Sequence, residues 1–523
     1  MTSKRPAQPR RRRDRHGCTP IVAKRRTGRV RLQLPPRPPV DEEFVQNHVG
    51  RITAEHSTGV DVATRPVVDG YSIFRGGRNM TETALSKFAD RSVPFSGDRL
   101  AVAAGLCAGS RDPHVLYESG GRVCWAEGEL AVVELRGDGD LTVSAGGEQV
   151  SISCIGSPLA TVGEALAAAG TAAAGDRWRA YGWAAFELSQ VLAGSVRTPE
   201  PVLRLTVPER EIVLDGDVAA LRARTEDELD QLRDRLVTAS ADAGGELVEV
   251  DLEEGADSYR RAVSEAVDTI RAGTLEKVIL SRRVPVPGAI DLPATYLAGR
   301  RANDPVRSFV VRQGNWEAAG FSPEIVATVT ADGIAVTQPL AGTRALVGEA
   351  ELDRARREEL SRDPKEVYEH AISVRRSATE LAEVCVPGTV RVGDFMSVRD
   401  RGSVQHLGSE VTGRLRPGTD CWAAFSVLFP AVTASGIPKA EACRLIDRVE
   451  PGNRGLYSGA VLTVDSEGAL DAALVLRSVF RQEGRTWLRA GAGIVPQSDP
   501  ERELEETREK LRSVSRFLVR AAS

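Results

Sequence analysis

The 523-residue sequence lacks the features that mark a secreted, membrane-spanning or disulfide-bonded protein. No two of its seven cysteines form a CxxC pair, and their odd number and wide spacing favour reduced thiols and a cytoplasmic location. The longest uncharged run near the C-terminal half, residues 421–438, contains two prolines and is shorter than the roughly 20 apolar residues of a spanning helix. No apolar segment of a secretory signal follows the basic N-terminus.

A dinucleotide-binding motif and a glutaminase motif are each only partly present. The sequence GAG at 491–493 is not a full GxGxxG motif, so a dinucleotide site is not indicated. The sequence GLCAG at 105–109 is similar to the surroundings of a glutaminase nucleophile. A glutaminase also needs a catalytic histidine well downstream, and only His114 lies near, which makes this interpretation weak.

Charge is distributed unevenly along the chain. Residues 1–40 contain 13 lysines and arginines and one acidic residue, a net charge of +12, so residues 41–523 carry −16 of the total of −4. We interpret residues 1–72 as a basic tail, rich in proline and arginine and disordered; a nucleic-acid-binding arm is the alternative. The acidic remainder predicts no nucleic-acid partner, and no segment predicts a membrane partner.

The remaining chain divides at about residue 250. Residues 73–250 combine short strands with an alanine-rich helix and contain no catalytic constellation, so we interpret them as scaffold. Residues 251–523 alternate hairpins with long helices, and we expect the catalytic residues there. The pattern predicts an α+β fold in which helices flank large, mostly antiparallel sheets.

Two strands are predicted near the C-terminus. The apolar run at 470–480 predicts a single strand. Residues 485–490 predict another, and the glycines after it predict a turn at 491–495. A helix follows from about Glu501, with Asp499 as its N-cap.

This C-terminal helix has charged residues on its inner side. Spacings of three and four place Glu503, Glu506 and Lys510 in one stripe beside the apolar face. A buried carboxylate is costly unless it is paired or bound to a metal. The alternative is a salt bridge between neighbouring turns of a solvated helix.

A second predicted helix, at 364–385, makes the solvated alternative weaker. Glu366, Glu369 and Ser373 run beside its apolar stripe with the same spacing. Two helices that each present a Glu-x-x-Glu pair suit a hard cation with oxygen ligands, and Mg²⁺ is the expected cofactor. A substrate with a carboxylate would complete the coordination.

Seven short blocks together resemble the chorismate-utilising enzymes, which include the anthranilate, aminodeoxychorismate, isochorismate and salicylate synthases. The blocks are GFSPE (320–324), PLAGTR (339–344), EVYEH (366–370), SVQHLGS (403–409), FPAVTASGIPK (429–439), RGLYSG (454–459) and the stretch 491–510. They stand in the family's order and cover about half the chain. The resemblance is closest to the salicylate synthase branch, whose N-terminal half also matches from about Asp112.

The resemblance implies a metal site and an acid–base pair. Glu369 and Glu506 would ligate Mg²⁺, and Glu366 and Glu503 would support it through water. It also implies that Lys277 is the general base that activates water for attack at C2 of chorismate. Glu324 would then be the general acid that protonates the leaving C4 hydroxyl.

It further implies the groups that hold the substrate. Tyr457 and Arg477 would bind the enolpyruvyl carboxylate. Close donors would come from Gly342, Thr343, Gly491, Ala492 and Gly493. Lys510 would balance the acidic cluster, and His406 and Thr433 would line the ring pocket as part of the catalytic set.

Ordinary structural roles remain as alternatives for several of these residues. Lys277 at a strand start is commonly a solvated strand-end lysine. Glu324 after a proline also fits a turn carboxylate, and His406 fits a core histidine with satisfied hydrogen bonds.

The function that the resemblance implies is Mg²⁺-dependent conversion of chorismate to isochorismate, and then to salicylate and pyruvate. Three alternatives remain: an enzyme that stops at isochorismate, an ammonia-using anthranilate synthase type of enzyme, and a non-catalytic chorismate-binding regulator. Lys277 counts against the ammonia users, and Ala341 counts against an aminodeoxychorismate synthase. We expect a cytoplasmic monomer that serves siderophore biosynthesis.

Overall fold

The computed structural model describes residues 88–522, except residues 155, 196–198 and 403. The strands, in chain order, are β1 (Ala89–Pro94), β2 (His114–Ser119), β3 (Arg122–Glu127), β4 (Ala131–Arg136), β5 (Asp140–Ala145), β6 (Glu148–Ser153), β7 (Arg179–Ala184), β8 (Pro201–Val207), β9 (Arg210–Asp215), β10 (Val218–Ala223), β11 (Lys277–Pro285), β12 (Arg307–Gln313), β13 (Trp316–Ser322), β14 (Ile325–Val329), β15 (Ile334–Thr337), β16 (Leu340–Ala345), β17 (Arg391–Arg401), β18 (Val404–Arg414), β19 (Gly436–Ile437), β20 (Ala460–Asp465), β21 (Leu470–Leu474), β22 (Ser478–Gln482) and β23 (Arg485–Ile494).

The helices are α1 (Arg99–Ala108), α2 (Pro158–Ala174), α3 (Leu188–Leu192), α4 (Glu226–Thr238), α5 (Ala256–Arg271), α6 (Leu292–Ala302), α7 (Ala350–Arg362), α8 (Pro364–Ala382), α9 (Cys421–Leu428), α10 (Lys439–Val449) and α11 (Pro500–Ser515). Within the part of the chain that the structure describes, no helix is long and apolar enough to cross a membrane. The predicted basic tail, residues 1–72, lies outside the described residues.

The strands form two large sheets. The first has 11 strands in the order β1-β10-β9-β3-β2-β12-β13-β22-β23-β11-β19. The second has 12 strands in the order β16-β18-β15-β14-β21-β20-β7-β8-β4-β5-β6, with β17 beside β18. Both contain strands from either side of residue 250, because β2 pairs with β12 and β7 pairs with β20, both antiparallel. The predicted α+β fold with antiparallel sheets and flanking helices is confirmed.

The two sheets share an apolar layer. Tyr117 and Phe309 from the first sheet pack in one buried cluster with Tyr181 and Val461 from the second. Helices cover the other faces: α1 and α6 pack on the first sheet, and α2 and α9 pack on the second. Both faces of each sheet are therefore largely removed from water, which is the main driving force for this fold.

The prediction of one strand at 470–480 is wrong. β21 ends at Leu474 in the second sheet, and β22 begins at Ser478 in the first. Arg477 lies in the crossing, with a φ of 49° in the left-handed region that non-glycine residues rarely adopt. The apolar pattern does not reveal the crossing, because both strands are buried and keep the same composition.

The predicted turn at 491–495 is also wrong. β23 continues to Ile494, and its residues 487–494 pair with β11. Glycine in a strand can mark a close approach of another group rather than a turn. A Cβ atom at Gly493 would lie 2.0 Å from Glu369 Oε1, so the glycine makes room for the Glu369 side chain of α8.

The ends of two helices show which local predictions are confirmed. α11 begins at Pro500, and the carboxylate of Asp499 accepts hydrogen bonds from the backbone N–H groups of Glu501 and Arg502, as an N-cap does. In α1, the GLCAG sequence forms part of the helix, and Cys107 is buried. Burial raises the pKa of the Cys107 thiol, which argues against a nucleophile there.

Candidate active site

A cleft lies where one end of each sheet meets two helices. α11 packs on β23 of the first sheet, and α8 packs on β16 and β18 of the second. The chain crosses between the sheets twice here, at residues 323–324 from β13 to β14 and at residues 475–477 from β21 to β22. The two crossings run side by side, since the Leu474 N–H donates to the Glu324 carbonyl at 3.0 Å and the Phe321 N–H donates to the Arg477 carbonyl at 3.1 Å. These crossings place Glu324 and Arg477 in the cleft.

The structure brings most of the predicted site residues together. Those that line the cleft are Glu324, Gly342, Thr343, Glu369, His406, Thr433, Tyr457, Arg477, Gly491, Gly493, Glu506 and Lys510. Lys277, Glu366 and Glu503 lie behind this lining, in contact with the same carboxylate cluster. Ala492 does not line the cleft, whereas its neighbours Gly491 and Gly493 do.

Lys277 stands at the start of β11, between β23 and the short strand β19. Its side chain is completely buried, so it is not a solvated strand-end lysine. The ammonium group lies 2.9 Å from Glu369 Oε1 and donates to Ser373 Oγ at 2.9 Å. Ser373 in turn donates to the backbone carbonyl of Glu369 at 2.8 Å, so α8 fixes the position of the lysine nitrogen.

The four predicted metal-binding glutamates converge from α8 and α11. Each has a carboxylate oxygen within 4.0 Å of Lys365 Nζ. Glu503 is fully buried, which excludes a solvated helix face at this position. Lys510 and Glu506 do form the expected pair between neighbouring turns, with 2.7 Å between Nζ and Oε1.

Two of these carboxylates hold protons more tightly than free glutamate. Burial raises the pKa of Glu366 and of Glu503 to about 7, and the Lys365 ammonium only partly opposes the shift. Burial acts on Glu506 in the same direction, but Lys510 and Lys365 outweigh it and lower its pKa to about 2. The cluster therefore contains both firmly ionised and readily protonated carboxylates.

The cluster offers carboxylate oxygens, which are the ligands that a hard divalent cation prefers. Both carboxylate oxygens of Glu503, and Glu366 Oε2, are buried and accept no hydrogen bond from the described residues. Such oxygens are costly without a cation. Among the described residues, however, no three acidic, cysteine or histidine side chains already converge closely enough to form a metal cage. The glutamates would have to close around an ion.

Glu324 has the environment of a proton donor. Thr433 Oγ1 donates to Glu324 Oε1, and no cation lies within 4.0 Å of the carboxylate among the described residues. Burial raises the pKa of Glu324 to about 8, against the opposing effects of the Thr433 hydrogen bond and of Lys277. The group is therefore largely protonated at neutral pH and able to act as an acid.

Arg477 and His406 form a buried pair. An Arg477 N–H group contacts His406 Nε2, which must accept because arginine only donates. His406 Nδ1 then carries the proton and donates to the Gly342 carbonyl at 3.0 Å, with Thr343 Oγ1 at 3.1 Å. Burial, followed by Arg477 and Lys510, lowers the pKa of His406 well below its usual range, so the ring is neutral. In the cleft, His406 therefore holds the Arg477 guanidinium through this hydrogen bond.

Arg477 itself lacks an anionic partner among the described residues. Burial and the nearby Arg401 lower the pKa of the guanidinium to about 10, so it stays charged at neutral pH. Tyr457 lines the same cleft, and two guanidinium groups lie over its ring, Arg454 at 5.8 Å and Arg489 at 5.6 Å from the centroid. A buried, unpaired arginine with a tyrosine in the same lining suits a carboxylate ligand.

Backbone geometry explains the glycines of the site. Gly342 lies at a bulge between β16 and β18, with a φ of 74°, and a Cβ atom there would lie 2.9 Å from Glu366 Oε2. Lys510 Nζ donates to the Gly491 carbonyl at 2.8 Å, so that carbonyl points toward α11 rather than toward β11. The N–H of Gly491 points the same way, whereas that of Ala492 points toward β11.

Comparison with protein families decides which group of proteins this is. The model of the chorismate binding enzymes matches residues 133–516 of the chain. The chain belongs to this family.

Individual relatives agree with that assignment. The chain is 45% identical to a salicylate synthase from Mycolicibacterium paratuberculosis over 432 residues, which cover 80% of this chain and 92% of the relative. It is 35% identical to component 1 of an anthranilate synthase from Arthrobacter globiformis, over 51% of each protein.

Solved structures share the fold at lower identity. The menaquinone-specific isochorismate synthase from Escherichia coli has a TM-score of 0.62 and 21% identity, over 82% of this chain and 94% of that one. Anthranilate synthase component I from Streptococcus pneumoniae has a TM-score of 0.61 and 21% identity, over 88% of this chain and all of that one.

Two residues of this chorismate-binding enzyme were missed by the sequence reasoning. Lys365 lies inside the glutamate cluster, and its spacing of four from Glu369 was the available signal. Arg489 lines the cleft beside Tyr457 and is held by Glu450, which is far away in the sequence. No local sequence pattern predicts this role for Arg489, because its partner Glu450 follows α10 and lies 39 residues earlier in the chain.

Proposed function

We propose that the protein converts chorismate to isochorismate and then eliminates pyruvate to give salicylate, with Mg²⁺ as its cofactor. The observation that carries the proposal is that one carboxylate-rich site combines a buried lysine, Lys277, with a glutamate, Glu324, whose burial favours the protonated form. The relative named salicylate synthase, similar over most of both chains, supports the same activity. Siderophore biosynthesis, a monomeric state and a cytoplasmic location remain predictions.

In the first step, a hydroxyl group is added at C2 of chorismate and the C4 hydroxyl leaves as water. Lys277 is the proposed general base: once the proton that holds it in the ion pair with Glu369 has been released, its nitrogen accepts the proton of the attacking water. Glu324, whose pKa of about 8 keeps it protonated, donates a proton to the C4 oxygen as the C–O bond breaks. Thr433 holds the Glu324 carboxyl group in place through its hydrogen bond.

In the second step, the bond between C3 and the enolpyruvyl oxygen breaks while the hydrogen at C2 moves to the enolpyruvyl methylene carbon. Pyruvate leaves and the ring becomes aromatic. The hydrogen moves within the substrate, so the step asks for positioning rather than for another base. Arg477 and Tyr457 would hold the enolpyruvyl carboxylate in the reactive position.

The metal would be held by the four glutamates. Glu369 and Glu506 line the cleft and would be direct ligands, with Glu366 and Glu503 behind them. When bound, Mg²⁺ would neutralise the ring carboxylate of the substrate and withdraw electron density from the ring. The buried Glu503 oxygens without hydrogen bonds are the support for this assignment on the protein side.

Product analysis tests the proposal directly. Purified protein is incubated with chorismate and Mg²⁺, with and without ammonium, and the products are separated and identified. We expect salicylate and pyruvate in equal amounts, and no reaction in excess chelator until Mg²⁺ is restored. Release of isochorismate alone would replace the proposal with an isochorismate synthase. Anthranilate formed with ammonium would assign the protein to the ammonia users.

A further inference from the structure

An ammonium group occupies the centre of the glutamate cluster. Lys365 Nζ lies 3.3 Å from Glu503 Oε1, 3.5 Å from Glu366 Oε1, 3.5 Å from Glu369 Oε2 and 4.0 Å from Glu506 Oε2. Its side chain is only 8% exposed. The carboxylates that would hold a divalent cation therefore already surround a cation that belongs to the chain.

Lys365 is the principal counter-charge for the innermost carboxylate. The other three glutamates have additional cationic partners, which are Lys277 for Glu369, Lys510 for Glu506, and Arg344 and Arg502 for Glu366. For Glu503, which is fully buried, Lys365 is the sole cation within 4.0 Å among the described residues. Without some cation in the centre, Glu503 would be a buried charge with no partner, which is strongly destabilising.

The ammonium and a divalent ion cannot occupy this centre together. Mg²⁺ binds oxygen at about 2.0–2.1 Å, so an ion ligated by Glu369 and Glu506 would lie next to the point that Lys365 now occupies, 3.5 and 4.0 Å from the same two carboxylates. A divalent ion at that distance from an ammonium group would also repel it strongly in a buried site. One cation must leave when the other enters.

The position of Lys365 in the chain allows its side chain to leave the centre of the cluster. The residue lies in the first turn of α8, directly after the exposed Pro364 and the N-cap Asp363. Four methylene groups separate its nitrogen from the backbone. The side chain can therefore turn toward solvent at the start of the helix without displacing the turn that carries Glu369.

We propose that Lys365 is an internal competitor of the divalent cation, which neutralises the cluster before metal binds and swings out when metal enters. This inference rests on the metal role in the proposed function. It predicts that the measured association constant for the metal equals the intrinsic constant multiplied by the fraction of molecules in which Lys365 has left the centre. The device supplies a positive charge to the buried glutamates when no metal is bound, at the cost of weaker metal binding.

The first test measures metal binding rather than turnover. Isothermal titration of metal-free full-length protein with Mg²⁺, or with Mn²⁺ followed by electron paramagnetic resonance, gives the dissociation constant. In Lys365→Met the side chain keeps its length and loses its charge. We expect the variant to bind the metal at least about tenfold more tightly than the wild type.

The matched control is Arg502→Gln. Arg502 also lies 3.3 Å from a cluster carboxylate, Glu366 Oε1, but it is half exposed and stands at the rim. Both substitutions remove one positive charge near the same glutamates, and only one of them empties the centre. A gain in affinity that is much larger for Lys365→Met than for Arg502→Gln is the expected result.

The second test uses the unmodified protein, so it does not depend on the folding of a variant. An amine-acylating reagent is applied with and without saturating Mg²⁺, and mass spectrometry measures the labelled fraction of each lysine. We expect Lys365 to be protected without metal and labelled with it. Lys439, whose side chain is 14% exposed and whose Nζ lies 2.9 Å from Glu380 Oε2 outside the cluster, should be labelled to the same small extent in both samples.

The outcomes separate this inference from the proposed function. If Mg²⁺ binds the wild type and Lys365→Met equally, or binds the variant more weakly, the competitor role is overturned and the metal site stands. Protection of Lys365 at saturating Mg²⁺ overturns it in the same way. If neither the wild type nor the variants bind Mg²⁺ in the titration, the metal role itself fails, and this inference fails with it.

Discussion

Two buried glutamates of the cleft show how neighbours decide the chemistry of one residue type. Glu506 has the Lys510 ammonium at 2.7 Å, and its pKa falls to about 2 despite burial. Glu324 has a threonine hydroxyl instead of an adjacent cation, and burial raises its pKa to about 8. The first is therefore a permanent anion and the second a proton donor, which are the two roles that the proposed reaction needs.

The division of roles predicts separate effects on the two steps. Glu324→Gln and Lys277→Ala should each slow the conversion of chorismate by at least about 10²-fold, the usual size of a general acid or base contribution. Both should retain appreciable salicylate formation from isochorismate, because that step needs neither proton transfer. Salicylate fluorescence with the two substrates side by side measures this.

Arg477→Gln serves as the contrasting variant. It should damage both reactions, since the enolpyruvyl carboxylate must be held in each. If Lys277→Ala were equally inactive with both substrates while folded and able to bind them, Lys277 would have a part in elimination that the mechanism lacks.

The raised pKa of Glu324 predicts a pH dependence for the first step. The acid form is required, so loss of the Glu324 proton should make kcat/KM for chorismate fall about tenfold per pH unit above about pH 8. The elimination from isochorismate should show no fall with this origin. Rates measured for both substrates from pH 6 to pH 10 provide the comparison, and a parallel fall for both would assign the titration to another group.

Single elements set the positions of these residues. The two crossings between sheets carry Glu324 and Arg477, and a strand on either side fixes each crossing. β23 supplies glycines where α8 and α11 approach it. The closest of these approaches is at Gly493, where a Cβ atom would meet Glu369 Oε1 at 2.0 Å.

Gly493→Ala should therefore damage the site without unfolding the protein. The added methyl group must displace the Glu369 carboxylate, and a shift of about 1 Å at such a site can cost about 10²-fold in rate. We expect a loss of that order in chorismate turnover and weaker Mg²⁺ binding by titration. Gly393→Ala is the control, because a Cβ atom there meets nothing within 4 Å. Equal activity of the two variants would contradict the close packing of Glu369 on β23.

At the scale of the whole molecule, the cleft depends on both sheets and therefore on most of the described chain. Strands from the first half of the sequence pair with strands from the second half in each sheet. The site residues themselves all lie between Lys277 and Lys510. The family match begins only at residue 133, well after the basic segment.

Removal of residues 1–72 should leave the catalytic part intact. These residues carry the basic excess and contain no recognised motif, and we expect turnover and the unfolding temperature of the shortened protein to match those of the full chain. Calorimetry and the salicylate assay measure both quantities on the same preparations. A large loss of either would assign a structural or catalytic role to this segment.

The sequence by itself determined the fold class and the identity of most cleft residues. Hairpin and helix patterns are local, so strands such as β14 and the N-cap at Asp499 could be predicted from neighbouring residues. The spacing of Glu366 with Glu369, and of Glu503 with Glu506, placed each pair on one helix face. The resemblance to a family then joined pairs that no local pattern connects.

Only the tertiary structure decided how these pieces meet. The apolar run at 470–480 divides between two sheets, and the glycines after residue 490 continue a strand, because partners far away in the sequence fix both segments. Lys365 became the centre of the cluster for the same reason: α11 packs on β23 and α8 packs on β16 and β18, and this closes four carboxylates around the lysine. Burial, which raises the pKa of Glu324, is likewise a property of the packed molecule, since a chain in water has no interior.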